Sequence, residues 1–262
     1  MRKILWVLTF MASISIWPTL AHAQTTTAPS TTQPTNPGNI DDKHGIQVLQ
    51  QHNPKLALVL FQKAAEEGST DAMVNIGYLY YDGKGVPKDY QKTMIWWKKA
   101  AALGNSEAML NVGSLYDGGI GVSKDSKQAM IWYQKAASNG NTDAMVTVAM
   151  QYIDGIEVPQ DYTLAMSWLQ KAAALGDSDG MDGIGMLYEY GYGVDQDYRQ
   201  AMKWYQKAAT LGDPYAMEMI GVFYEYGRGV DIDLSQAKKW FAKAAKLGNQ
   251  DAKNELAKLS NQ

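Results

Sequence analysis

The chain carries few side chains able to do chemistry. Its 262 residues include no cysteine and three histidines, His22, His44 and His52. Thiolate nucleophiles, disulfides and thiolate zinc sites are therefore excluded. His44 and His52 stand eight residues apart around an expected first helix, with no carboxylate at the spacing of a His-Glu metal motif. A Ser-His-Asp triad would have to recruit one of these histidines, and no G-x-S-x-G elbow exposes a serine. The run Gly83-Lys84-Gly85 resembles a phosphate cradle, but it follows a helical segment, lacks a third glycine and recurs along the chain, which makes it turn chemistry. Paired carboxylates such as Asp177 and Asp179 sit at an expected helix start and read as caps. The sequence thus offers no catalytic residue, no metal-ligand set and no cofactor motif, and the chain is expected not to be an enzyme.

Charge narrows the partners. A formal net charge of -3, without any run of Lys or Arg, removes the basic surface that marks nucleic-acid binding. Residues 1–23 read as a secretory signal peptide: Arg2 and Lys3, an apolar stretch from Ile4 to about Leu20, then Ala21 and Ala23. Ser13, Ser15 and Pro18 make that stretch a poor permanent span. Gln24 follows the cleavage point, so the cysteine of a lipoprotein signal is missing. The expectation is a periplasmic or secreted protein, cleaved near Ala23-Gln24, without stable membrane insertion. Residues 24–40, QTTTAPSTTQPTNPGNI, have almost nothing to bury and are expected to form a disordered Thr/Pro-rich spacer.

The elements that must position any site come from a repeat. At a period of 36 residues, Gly68, Gly104, Gly140, Gly176, Gly212 and Gly248 fall in one column. Leu60, Trp96, Trp132, Trp168, Trp204 and Trp240 form a second, and Tyr80, Tyr116, Tyr152, Tyr188 and Tyr224 a third. A fixed period of this length marks a stacked-repeat architecture. Each repeat holds two amphipathic segments. In the first, Met73, Ile76, Gly77 and Tyr80 follow i, i+3, i+4, i+7 spacing; in the second, Thr93, Trp96, Ala100 and Leu103 mark one face. Gly83 and its mates are expected to end the first helix and Gly104 and its mates the second. Asp89, Asp125, Asp161, Asp197 and Asp233 precede the second helix as caps, and Asp213-Pro214 reads as a cap followed by proline at the first helical position. Gly77, Gly113, Ala149, Gly185 and Gly221 allow close backbone approach, and the tryptophan column is expected to fill the core between helices. A carbohydrate-stacking platform is the alternative for those tryptophans.

The pattern A-x-x-x-x-G-x-x-Y-x-x-G-x-G-V, then D, then A-x-x-W-x-x-K-A-A-x-x-G, resembles the Sel1-like repeat, a relative of the tetratricopeptide repeat. A divergent leading copy covers residues 41–68, five full copies (repeats 1 to 5) span about 70–248, and a capping helix covers about 250–260. The resemblance implies an all-α fold, a right-handed superhelical solenoid of helix-turn-helix repeats, used mainly as a scaffold or adaptor for protein partners. It also implies an alternative role as a periplasmic immunity protein that neutralises a toxic effector. Exported members described as penicillin-binding or β-lactamase proteins carry a cysteine pair in each repeat. This chain has none, which disfavours a cell-wall or β-lactam hydrolase. Repeat 3 also departs from the pattern, with Glu157 where the others have Gly85, Gly121, Gly193 and Gly229.

Function is expected in the columns that differ between repeats. If the first helices line a concave groove, one column reads Val74, Leu110, Val146, Asp182 and Glu218, and another reads Tyr81, Asp117, Ile153, Glu189 and Glu225. Tyr78 joins the apolar end, while Tyr190 and Tyr226 follow the last two glutamates. The groove is thus expected to be apolar toward its N-terminal end and acidic with tyrosines toward its C-terminal end, suited to a peptide or protein with a basic segment.

Overall fold

A computed structural model of the protein describes residues 37–260. The leader expected at 1–23 and residues 24–36 of the expected spacer lie outside the described residues. Within them the chain is an all-α solenoid of 36-residue helix-turn-helix repeats, with no strand. The leading copy contributes α1 (Pro37–Gln50) and α2 (Pro54–Glu66). Repeats 1 to 3 contribute α3 (Thr70–Asp82) and α4 (Tyr90–Ala102), α5 (Ser106–Gly118) and α6 (Ser126–Ser138), and α7 (Thr142–Asp154) and α8 (Tyr162–Ala174). Repeats 4 and 5 contribute α9 (Ser178–Tyr190) and α10 (Tyr198–Thr210), and α11 (Pro214–Tyr226) and α12 (Leu234–Lys246), before the final α13 (Gln250–Ser260). The chain divides into two compact units, one ending at Trp96 and one beginning at Trp97. In the second, each helix from α5 onward packs on the next, and α7 also touches α9.

One boundary differs from expectation. Helix α1 starts at Pro37, so residues 37–40 belong to the first helix and not to the spacer. Proline is accepted there because a helix's first turn needs no N–H donor.

Aspartate caps set the second helices. Gln128, Leu164, Gln200 and Gln236 donate their backbone N–H to the side chains of Asp125, Asp161, Asp197 and Asp233 at 2.9–3.0 Å, and Lys92 does the same to Asp89 at 3.0 Å. The backbone N–H of each aspartate in turn donates to the carbonyl of the column tyrosine nine residues earlier, as from Asp197 to Tyr188 at 2.9 Å. That bond closes the loop across its two helices. First helices are capped by Ser69, Asn105, Asn141, Asp177 and Asp213. They end at left-handed glycines, φ 73° at Gly83 and 67° at Gly227.

The core corrects the tryptophan expectation. Trp132, Trp168, Trp204 and Trp240 are half-buried, and the residue after each one, Tyr133, Leu169, Tyr205 and Phe241, is buried. The glycine of the first helix faces that second residue: a Cβ at Gly113 would lie 2.6 Å from the Tyr133 ring, and one at Gly221 would lie 2.7 Å from the Phe241 ring. One residue advances a helix by about 100°, so the two adjacent bulky positions cannot both face the glycine groove. Each tryptophan instead lies beneath a lysine, with Lys171 3.9 Å from the Trp168 ring and Lys207 3.6 Å from the Trp204 ring, a cation–π stack on a partly wet flank.

Repeat 3 has its own turn. Gly191 and Gly193, like Gly227 and Gly229, are both left-handed, whereas Gly155 is left-handed and Glu157 is not. A Cβ at Gly193 would stand 2.5 Å from Tyr162 Cβ and one at Gly229 2.8 Å from the Tyr198 carbonyl carbon. These turns therefore rest on the first turn of the preceding second helix. Glu157 pairs with Lys124 at 3.8 Å.

Candidate functional site

Half of the residues in the two expected groove columns are closed to solvent. Val74 and Val146 are buried, and Asp182 and Glu189 are only 1% and 2% exposed. In the second compact unit, first helices of successive repeats touch, α7 against α9. Asp182, Glu189, Val74 and Val146 are therefore withdrawn from direct docking. Tyr78, Leu110, Glu218 and Glu225 are half-buried. Glu218 accepts a hydrogen bond from Asn249 Nδ2 at 2.8 Å, and burial raises its pKa. Tyr190 and Tyr226 are exposed, at 42% and 58%.

Glu189 has an internal task. Its Oε2 accepts from the Tyr205 hydroxyl at 2.9 Å, and its Oε1 pairs with Arg228 Nη1 at 2.9 Å. Burial still holds this carboxyl above its ordinary value, against the lowering influence of Tyr205 and Arg228. The carboxylate that was to attract a basic partner is thus spent on fixing an arginine. Arg228 lies 5.7 Å from the Tyr226 ring and 5.9 Å from the Tyr198 ring. Tyr190 stacks on Tyr192 at 5.6 Å, and Tyr192 on Tyr162 at 5.0 Å. The loops after α9 and α11 therefore carry tyrosines and one anchored guanidinium.

A second cluster lies at the other end of α9. Carboxylate oxygens of Asp179, Asp182 and Asp213 all stand within 4.8 Å of one another. Burial, reinforced by Asp177, Asp213 and Asp143, pushes the Asp179 carboxyl up to about 7. Asp182 is held well above its ordinary value, first by burial and then by Asp213. Asp182 Oδ1 is buried without a hydrogen-bond partner. Asp177 caps α9 through Gly180 N–H at 2.7 Å, as expected, but Asp179 is not a cap; it belongs to this cluster. Three carboxylates so placed have the donor chemistry for a hard cation.

Sequence reasoning missed Arg228, Tyr192, Tyr162 and Tyr198. Arg228 occupies a loop position held by Lys84, Ile120, Ile156 and Tyr192 in the other repeats, which hid its reach back to Glu189 in the preceding repeat. Pairing of Glu189 with a cation thirty-nine residues on has no short-range signature. The Asp cluster did leave one: Gly180, Asp182 and Gly183 replace the Ala, Val or Leu, and Asn or Thr of repeats 1 to 3.

Comparison with known proteins agrees with the repeat. The family model for the Sel1 repeat matches residues 43–69, 70–105, 106–141, 142–177, 178–213 and 214–249. A Sel1 repeat protein from Oxalobacter formigenes is 34% identical, with a TM-score of 0.78 over 84% of this chain and 90% of that one. A protective antigen present in uropathogenic Escherichia coli strains is 32% identical, with a TM-score of 0.73 over 84% of this chain. The match spans only 48% of that antigen's length. An immunity protein from Pseudomonas aeruginosa is 22% identical, with a TM-score of 0.55 over 84% of each chain, a likeness of fold alone. Curated protein sequences give no match.

Proposed function

We propose that this chain, which belongs to the Sel1 repeat family, is a non-catalytic adaptor that captures a polypeptide through the tyrosine-arginine surface of repeats 4 and 5. The Sel1 solenoid is a scaffold for protein–protein interaction. The observation that carries the finer reading is the exposure of Tyr190 and Tyr226 beside Arg228, which a 2.9 Å ion pair to buried Glu189 holds in place. Tyrosine and arginine dominate interface hot spots, and a guanidinium already immobilised loses little further entropy on docking. No described helix is long and apolar enough to cross a membrane. The leader read at residues 1–23 assigns the adaptor to the periplasm or the exterior. The basic partner segment expected from the acidic columns takes little support from carboxylates that are buried or already paired. An effector-neutralising role takes none from a fold-level likeness.

A photo-crosslinking residue placed at Tyr226, and a second placed at exposed Lys203 of α10 as control, test the reading in growing cells. Discrete protein adducts at position 226 and none at 203 are expected. Equal labelling at both would remove the assignment.

A further inference from the structure

We propose that Asp179, Asp182 and Asp213 form a binding site for one hard divalent cation, with calcium as the probe. Two oxygens that share a calcium ion at 2.3–2.6 Å are at most about 5 Å apart. The 4.8 Å limit on the three carboxylates lies inside that bound.

Two further observations point to a ligand. Asp182 Oδ1 is buried and takes no hydrogen bond, although the Asp182 carboxyl also interacts with the Asp213 side chain, and Asp213 Oδ1 accepts from the Ala216 N–H at 2.9 Å. A buried acceptor left unmade is costly, and such groups call for an explanation. None of the described ion pairs involves these three aspartates. The surrounding charge is negative, from Asp177 on the same turn and Asp143 on the start of α7. The local backbone also departs from the repeat. Helix α9 carries Gly180 and Gly183 where the other full repeats have alanine and a larger side chain, and each glycine costs a helix about 1 kcal/mol relative to alanine. Gly180 lets α9 approach α8 so closely that a Cβ would stand 2.7 Å from Ala172 Cβ and 2.9 Å from the Ala173 nitrogen. Repeat 4 thus accepts a weaker helix where it concentrates acid, the signature of a site in a repeat protein.

A lysine or arginine of a partner is a poorer occupant. With Asp182 1% exposed, an ion without a stem reaches its Oδ1 more readily than a side chain does.

The test uses the full chain stripped with EDTA, near neutral pH. Terbium, whose luminescence neighbouring Tyr205 and Tyr215 would sensitise, should bind with one-to-one stoichiometry and be displaced by calcium. Calcium at about 5 mM should raise the melting temperature by about 2–4 °C if the site has the millimolar affinity of an extracellular module. Asp182→Asn should abolish both responses while melting no lower than the stripped wild type, because the substitution removes a buried charge. Absence of a terbium signal, or a signal that survives Asp182→Asn, overturns the proposal. So does stabilisation by acid with no response to calcium, which would mean a proton shared among the carboxyls. Binding of an Arg-rich peptide that Asp182→Asn abolishes, without any calcium effect, would assign the cluster to a partner and overturn it equally.

Discussion

Gly185 in α9 lies against the ring of Tyr205 in α10: a Cβ at position 185 would stand 2.8 Å from Tyr205 Cε1. The same pairing joins Gly113 to Tyr133 and Gly221 to Phe241. Repeat 3 has Ala149 and Leu169 at the matching positions, an extra methyl opposite a smaller side chain. Gly185→Ala should therefore cost about 1–3 kcal/mol by overpacking. In repeat 3, Leu169→Tyr should be destabilising alone and largely rescued by Ala149→Gly, a coupling that a double-mutant cycle in urea would measure. Additive effects at 149 and 169 would mean that the two positions do not pack as a pair.

The second residue of each Trp-aromatic pair holds the core. Tyr133→Ala should cost about 3–5 kcal/mol, as for a buried aromatic. Trp132 is half-buried beneath Lys135, 4.5 Å from its ring, and Trp132→Ala should cost roughly 1–2 kcal/mol from its partial burial. Denaturant midpoints of the two variants decide the order. A larger loss at Trp132 would return the core to the tryptophan column.

Helix pairs, caps and loop glycines were legible because they repeat and because each has a local cause: Asp161 caps the helix that follows it, and Gly155 ends the one before. The choice between Trp132 and Tyr133 was not, since adjacent apolar positions fit the same periodicity and the facing helix decides which is enclosed. Asp182 and Glu189 read as surface acids for the same reason. The repeat register places them in columns expected to line a groove, and contact of α9 with α7 and pairing with Arg228 are long-range facts. Tyr190 and Tyr226 were found because they directly follow the column glutamates, at the last residues of α9 and α11, where side chains stay near solvent.

Acidity should stabilise the metal-free protein. The Asp179 carboxyl is raised to about 7 from an ordinary value of 3.8, and Asp182 is also raised, by burial and then by Asp213. The folded state therefore binds protons more tightly than the unfolded chain. Their contribution is fully present below the unfolded value and is lost as pH rises through the folded one. Melting in EDTA should occur at a higher temperature near pH 5.5 than near pH 7.5, a window that spans the Asp179 value of about 7, and Asp182→Asn should flatten the difference. A wild type that is more stable at the higher pH would contradict this assignment.

Arg228 and Tyr226 should separate stability from binding. Removing the guanidinium strands Glu189, a carboxylate 2% exposed, and losing one partner of a buried pair costs about 3–5 kcal/mol. Arg228 is itself partly exposed, so Arg228→Ala should fall near the lower end, about 3 kcal/mol, and less in acid, where Glu189 is protonated. Tyr226→Ala removes an exposed ring, and its melting temperature should stay close to that of the wild type. Partner dissociation should accelerate in both variants, by about five- to thirtyfold if Tyr226 is worth 1–2 kcal/mol. Rate changes should persist in high salt, because Glu189 neutralises Arg228 and the tyrosines carry no charge. Surface-immobilised binding kinetics, run beside urea titrations, read both quantities. Weakened capture in Arg228→Ala that tracks its loss of stability, with Tyr226→Ala binding normally, would move the docking surface away from these loops.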